Sequence, residues 1–255
     1  MTTFPLAGVE VPLVGLGTNR LTTAPEHVAF VREAVAAGLR HIDTAHGYTG
    51  GESERAIGEA LEGASEDVLV ATKGGYGGRG QGRPEVLEAQ IEQSLRSLRI
   101  DAIGLYYLHR VDPETPLEES LGAINAYVDR GAIRHVGISA VSVEQIERAR
   151  QVVPIAAVQN HYNLAEREHD DVVDYCEREG IAFVAYFPLH GSGPGVAAAA
   201  ARLGVPESSV KLAWLLQRSA VVLPIPGTLS IEHLRDNLSA LDLDLGDADD
   251  ITADS

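Results

Sequence analysis

Apolar residues fall in short, β-type runs separated by longer stretches in which they recur every three or four positions, and the two patterns alternate along the chain. The runs Val14–Gly17, His41–Asp43, Val68–Lys73, Ile103–His109, His135–Ser139, Ala157–Gln159, Ala182–Phe187 and Val221–Ile225 are expected to be strands. Between them lie helical patterns. His27–Ala37 follows a proline suited to a first turn, and Ser53–Glu62 comes next. Pro84–Leu98 places Val86, Leu87, Ile91, Leu95 and Leu98 on one face. Pro116–Arg130 stops at Gly131, a helix-ending residue. Val143–Arg150, His169–Glu179, a pair around Val196–Leu203 and Ser208–Arg218, and Ile231–Ala240 complete the series.

Eight strands alternating with helices at roughly 32 residues per unit imply a parallel sheet with crossover helices, an α/β class. An open dinucleotide-binding sheet usually carries G-x-G-x-x-G at its first turn, but here that turn reads Gly15-Leu-Gly-Thr-Asn-Arg20 and lacks the third glycine. The count of eight favours a single (β/α)8 TIM barrel over residues 1–255, with a short N-terminal β-hairpin. Gly74–Gly82 is glycine-rich but lies between a strand and a helix, so it is no linker.

Charge narrows the partners. Twenty Lys and Arg against 37 Asp and Glu give −17, which disfavours nucleic acid and anionic lipid. One cysteine, Cys176, makes no internal disulfide and no thiolate metal site, and no metal is expected. The start has no basic segment followed by a long apolar run, and nowhere do about 18 apolar residues follow one another. A soluble, cytoplasmic monomer is expected.

In such a barrel the chemistry sits at the C-terminal ends of the strands. Those ends carry Asp43, Lys73, His109, Ser139, Gln159 and Tyr186. Lys73 and Lys211 are the two lysines in a chain that otherwise uses arginine. A lysine ending an apolar strand needs a counter-charge, and Asp43 on the neighbouring strand supplies one. Tyr48 lies five residues past Asp43, within reach of the same pocket. A free phenol with a pKa of about 10 is a poor proton donor near neutrality, and a neighbouring ammonium favours its ionised form. His109 can donate a hydrogen bond to a carbonyl oxygen as charge develops there. This set supplies a proton and a stabilised oxyanion but no hydride, so a reduced cofactor must bind beside it.

The segments His41-Ile-Asp-Thr-Ala-His-Gly-Tyr48, Ala71-Thr-Lys-Gly74 and Leu105-Tyr-Tyr-Leu-His109 resemble the signature segments of the aldo-keto reductases. Gly137-Ile-Ser139, Val158-Gln-Asn160, Ala185-Tyr-Phe-Pro-Leu189 and Ile225-Pro-Gly-Thr228 continue the likeness in order, and the compact, pyridoxal-reductase-like bacterial members are most similar. The resemblance implies NADPH-dependent reduction of an aldehyde or ketone, with Tyr48 as proton donor, Lys73 and Asp43 lowering its pKa, and His109 polarising the carbonyl. It implies that Ser139 and Gln159 hold the nicotinamide carboxamide and that Tyr186 stacks on the ring, followed by Phe187 where a serine is common. Gly17, Thr18 and Asn19 would line the nicotinamide wall. Leu189, Gly191, Ser192 and Gly193, then Ile225, Gly227, Thr228 and Ser230, would serve the phosphates, with His233, Asp236 and Asn237 toward the adenosine. Ala140 stands where the family commonly has asparagine, and Gly227 where many members carry a basic residue. NADPH is therefore expected over NADH by a reduced margin, with NADH possible.

Tyr76, Arg110, Asn160 and Tyr162 are expected near the pocket mouth, as substrate contacts. A long C-terminal specificity loop is not expected, which leaves the substrate side open, and Asp242 to Asp254 reads as a solvated tail. Two rival readings stay open: a non-catalytic nucleotide-binding redox sensor, and a Schiff-base aldolase using Lys73. A metal hydrolase built on His41, Asp43 and His109 is disfavoured because Lys73 would repel the cation.

Overall fold

The structure, a computed structural model, describes residues 3–64, 67–246 and 251. Two strands, β1 (Thr3–Leu6) and β2 (Val9–Pro12), form an antiparallel hairpin. Its two-residue turn, Ala7-Gly8, has φ of 49° and 79°, the left-handed pair that matches strand twist in tight hairpins. Eight further strands follow: β3 (Leu16–Gly17), β4 (His41–Asp43), β5 (Leu69–Gly74), β6 (Ile103–Leu108), β7 (Ile133–Ser139), β8 (Ile155–His161), β9 (Ala182–Tyr186) and β10 (Val222–Pro224). They pair in sequence order and in parallel.

The circle closes where β3 meets β10. Pro224 and Pro226 have no N–H to give, so this seam relies on their carbonyls, which accept from Gly15 N at 3.0 Å and Gly17 N at 3.1 Å. The strands approach so closely that a Cβ on Gly17 would lie 2.8 Å from the Ile225 carbonyl oxygen. Gly15 and Gly17 thus serve barrel closure. β3 and β10 are shorter than their sequence runs because the prolines leave the ladder incomplete.

Helices α1 (Pro25–Ala36), α2 (Glu52–Leu61), α3 (Pro84–Leu98), α4 (Leu117–Asp129), α5 (Val143–Arg150), α6 (Asp170–Glu179), α7 (Pro194–Leu203), α8 (Glu207–Arg218) and α9 (Ile231–Ser239) are the crossover elements, α7 being extra to the eight-fold repeat. Most bounds lie within one or two residues of those expected from the sequence. The tail differs. Leu245 and Ile251 are buried in the main core rather than solvated, while residues 247–250 and 252–254 of that expected tail lie outside the described ones.

Strand periodicity sorts the side chains. Leu69, Ala71, Leu105, Tyr107, Ala157, Ala182, Val184, Leu223 and Ile225 fill the barrel, sealed from below by Leu6, Val11 and Leu13 of the hairpin segment. Alternate residues, such as Tyr106, Leu108, Val136, Ile138, Val158 and Phe183, face the helices. Continuing the inward register to the strand ends brings Asp43, Lys73, Ser139, Gln159 and Tyr186 to one rim. Gly137 is required on this register, because a Cβ there would lie 2.4 Å from the Tyr107 ring.

Gly58 in α2 tests packing against propensity. Alanine in a helix interior gains about 1 kcal/mol over glycine. A Cβ at Gly58 would, however, sit 2.5 Å from the Ser97 carbonyl oxygen of α3, a backbone atom with little freedom to retreat. Overpacking costs about 1–3 kcal/mol and should win. Gly58→Ala is expected to lower the urea midpoint; an unchanged or raised midpoint would show that α2 and α3 separate freely.

Candidate active site

The centre of the rim is a buried ion pair. Lys73 Nζ donates to Asp43 Oδ1 and, at 2.8 Å, to the Thr44 carbonyl oxygen. Gln159 Nε2 donates to Asp43 Oδ2 at 2.7 Å. Both carboxylate oxygens are therefore matched, which a buried charge needs. The ammonium lies 5.3 Å from the Tyr48 ring centroid and 5.8 Å from that of Tyr107.

Tyr48 reaches this pair from the loop after β4, and a polar lattice fixes that loop. Thr49 has φ 49° and ψ 36°, strained for a β-branched residue. Its hydroxyl donates to the Leu21 carbonyl at 2.6 Å and accepts from Ser53 N–H at 3.1 Å. Ser53 Oγ lies 2.9 Å from Thr18 Oγ1 and 2.8 Å from Thr44 Oγ1, and Thr18 Oγ1 donates to the Asp43 carbonyl at 2.8 Å. The ends of β3 and β4 and the start of α2 are thus tied to the residues flanking Asp43. The sequence reading did not single out Thr44, Thr49 or Ser53; three hydroxyl residues around an expected catalytic loop were the available signal.

His109 stands opposite, its ring 6.0 Å from that of Tyr48 at 79° and 4.7 Å from that of Tyr76. Burial, then Lys73, then Arg110 lower its pKa to about 2, so its imidazole is neutral and can donate from one nitrogen. Burial also lowers His41, to about 4, outweighing Asp43; both its ring nitrogens lack partners among the described residues. For Tyr48 the balance corrects a sequence expectation. Burial raises its pKa above that of an ordinary phenol; Lys73 is the largest opposing influence, and Asp43 by itself pushes upward. Lys73 moderates the phenol's pKa without bringing it below the ordinary value.

These groups floor a cavity of about 600 Å³. Gly17, Thr18, Asn19, Asp43, Tyr48, Lys73, His109, Ser139, Gln159, Tyr186, Phe187, Leu189, Ile225 and Gly227 line it, as do Tyr76 and Arg110. Arg20, His46 and Gln90, to which sequence reasoning gave no role, line it too, as does His190 within the Leu189–Gly193 segment. Phe187 is half-exposed, adopts a left-handed φ of 52° and stacks on His190 at 5.2 Å.

Other expected residues lie outside this cavity. Gly191, with φ 88°, packs on Leu164 and Ala165, Ser192 follows it, and Gly193 precedes α7. Thr228 is buried and accepts from Ser230 N–H; Ser230 caps α9 by accepting from His233 N–H. His233 is exposed, Asp236 half-buried and Asn237 buried, all on α9.

Two expected substrate contacts are corrected. Asn160 points away from the barrel axis because it follows the inward Gln159 by one residue. Its amide is consumed by Val141 N–H at 3.1 Å and the Val141 carbonyl at 2.8 Å. Tyr162, two residues further on the same outward register, is buried against Phe183 and Trp214, with its hydroxyl on Asp170 and Arg218. Period two alone would have placed both outside the pocket.

Similarity to known proteins places this barrel and its rim in a family of enzymes. The sequence matches the profile of the Aldo/keto reductase family over residues 13–194 and 194–253. The chain belongs to that family and is an oxidoreductase. It is 37% identical to the "Uncharacterized oxidoreductase C215.11c" of Schizosaccharomyces pombe, over 86% of this chain and 74% of that protein. It is 35% identical to pyridoxine 4-dehydrogenase of Escherichia coli, over 96% and 94%. Among solved structures, the thermostable aldo-keto reductase Tm1743 in complex with epalrestat superposes with a TM-score of 0.89 at 32% identity, covering 97% of this chain and 96% of that one. An aldo-keto reductase from Klebsiella pneumoniae in complex with NADPH gives 0.85 at 29% identity, covering 97% and 92%. No helix among the described residues is long and apolar enough to cross a membrane.

The lowered histidines make stability depend on pH. Unfolded, His41 and His109 take up a proton near pH 6.5; folded, they stay neutral to about 4 and about 2. The unfolded chain binds more protons below 6.5, so this contribution is full above that pH and is lost as pH falls toward 4. The loss is about 1.4 kcal/mol per pH unit for each histidine. Urea unfolding at pH 6.5, 5.5 and 4.5 should show a steady decline, and a flat profile would contradict the buried neutral assignment.

Proposed function

We propose that the protein reduces an aldehyde or ketone to the alcohol with NADPH, Tyr48 giving the proton and His109 holding the carbonyl oxygen. The observation that carries this reading is the Lys73 ammonium, fixed by Asp43 and Thr44 beside the Tyr48 ring, across from a neutral His109.

The cavity fits a nicotinamide. It offers a half-buried Tyr186 ring as a face, with the Ser139 hydroxyl and Gln159 at its floor. Gln159 spends an amide N–H on Asp43, which leaves its carbonyl oxygen to accept from a carboxamide. At the seam end, Gly17 and Gly227 line the cavity. Gly17, Thr18 and Asn19 would form the adjoining wall, and Leu189–Gly193 with Gly227–Ser230 would meet phosphates through backbone donors. His233, Asp236 and Asn237 would lie toward the adenosine. The cofactor, when bound, supplies the hydride.

The residues of the chain do the rest. His109 donates to the carbonyl oxygen and fixes its direction. As the carbon–oxygen π pair moves onto oxygen, Tyr48 gives up its hydroxyl proton to it. Lys73 stabilises the phenolate left behind until solvent returns a proton. A phenol pKa raised by burial keeps Tyr48 protonated, and thus ready to donate, over the neutral range. The aldolase reading fares worse, since Lys73 spends donors on Asp43 and Thr44 whereas attack on a carbonyl needs a free lone pair.

The test is NADPH consumption over a panel of carbonyl compounds that includes pyridoxal. Tyr48→Phe is expected to abolish turnover while NADPH affinity changes little, and Lys73→Met to lose activity comparably. Retention of most of kcat by Tyr48→Phe would remove it as the donor. Tight NADPH binding with no carbonyl reduced by the wild type would favour the sensor reading, and a borohydride-trapped adduct at Lys73 the aldolase.

NADPH should be preferred over NADH by a modest factor. The segment after β10 offers Gly227, a Ser230 whose hydroxyl is engaged, an exposed His233 and an exposed Arg235. A helix N-terminus adds about 0.3–1 kcal/mol for an anion, and salt screens it. The ratio of kcat/KM values should be severalfold and decline with ionic strength. An NADH preference, or a large ratio insensitive to salt, would show that a different set of groups reads the 2′-phosphate.

A further inference from the structure

Four charged side chains line the cavity: Arg20, Asp43, Lys73 and Arg110. Asp43 and Lys73 cancel. Two arginines are left over, in a chain with 37 acidic residues against 20 basic ones. Neither has a carboxylate partner among the described residues. Arg20 belongs to the seam end, where its Nη2 donates to the Gly227 carbonyl at 3.2 Å. Arg110 belongs to the other end, beside the reacting groups.

Arg110 is half-buried, and each of its acceptors is neutral. Nη1 donates to the His109 carbonyl at 2.9 Å and to Ser139 Oγ at 3.2 Å, and Nη2 lies 3.4 Å from the Tyr186 hydroxyl. Its guanidinium carbon is 5.6 Å from the Tyr186 ring centroid and 5.9 Å from that of Tyr76. The Tyr76 ring also contacts His109. A guanidinium partly withdrawn from water and answered by neutral groups gains most from a planar anion that takes two N–H groups at once. Two of its present contacts, Ser139 and Tyr186, are also the groups assigned to the nicotinamide, so occupation of that site competes for them and frees donor capacity toward the mouth.

We propose that Arg110 makes the enzyme selective for carbonyl substrates that carry a second, anionic group, a carboxylate or a phosphate, close to the reacting aldehyde or ketone. This rests on the reading that the carbonyl oxygen meets Tyr48 and His109. The anion then sits one residue further along the same wall, between Tyr76 and the Arg110 guanidinium. Phosphate and carboxylate share the required chemistry, a delocalised anion with two oxygens in one plane.

Matched pairs decide it. 4-Carboxybenzaldehyde is compared with its methyl ester, and glyceraldehyde 3-phosphate with glyceraldehyde, as substrates of the full-length protein with NADPH. The anionic member of at least one pair should have the higher kcat/KM, and the pair that shows this names the group. Arg110→Gln should lower the anionic-to-neutral ratio by about tenfold or more, and Arg110→Lys should restore part of it. Calorimetric binding to the NADP⁺-loaded protein gives a readout independent of turnover. 4-(Hydroxymethyl)benzoate should bind more tightly than its methyl ester, and Arg110→Gln should erase the difference. The proposal is overturned if the wild type favours the neutral members of both pairs, or if Arg110→Gln keeps the ratio. It is also overturned if Arg110→Gln weakens NADPH binding while leaving selectivity intact, since Arg110 would then support the nicotinamide instead. Failure to reduce any carbonyl would overturn the assigned reaction, with the binding comparison still deciding the role of Arg110.

Discussion

The buried Asp43–Lys73 pair is the constraint around which the site is built. Withdrawing both charges from water costs several kcal/mol each, and their attraction offsets this only when the remaining donors and acceptors are satisfied. Gln159 and the Thr44 carbonyl do that here, and they come from β8 and from the end of β4. The pair therefore demands a closed barrel. Gln159 lies across the interior from Asp43, and the ring of strands brings it within hydrogen-bond reach. Stability and chemistry are coupled at this point, because removing one partner leaves the other buried and unmatched.

The positions around the pair serve its geometry in different ways. Gly137 makes room for the Tyr107 ring that underlies the ammonium, and Thr49, Ser53, Thr18 and Thr44 hold the Tyr48 loop against the strand ends. The strain at Thr49 is sustained by its hydroxyl, which donates to the Leu21 carbonyl and accepts from Ser53 N–H. On the proposed chemistry a rigid loop matters, because a proton donor displaced by an ångström from its acceptor loses much of its effect.

Much of this was legible in the sequence, because strand periodicity is a local property. Alternating apolar runs gave the eight strands, and the residues that end them were the rim. The errors at Asn160 and Tyr162 came from reading proximity along the chain as proximity in space, where period two already turns both outward. What the sequence does not display is the balance of opposing effects. A lysine beside a phenol argues for a lowered pKa, yet the degree of burial that reverses the direction exists only in the assembled barrel. Barrel closure was expected from the strand count, but the contacts that make it were not visible in the sequence. Gly15 and Gly17 entered the sequence reading as a turn that lacks the third glycine of a nucleotide fingerprint, whereas their contact with the carbonyls of Pro224 and Pro226 joins residues more than 200 positions apart.

The hairpin that plugs the base has a consequence for traffic. Leu6, Val11 and Leu13 leave an apolar floor beneath the Asp43–Lys73 layer, so among the described residues the vessel opens at the rim. Water reaching Tyr48 must enter by the route that substrate uses, and on the proposed chemistry a phenol that has given up its proton cannot recover it while product blocks that route. Departure and recharging then become a single queue at the rim.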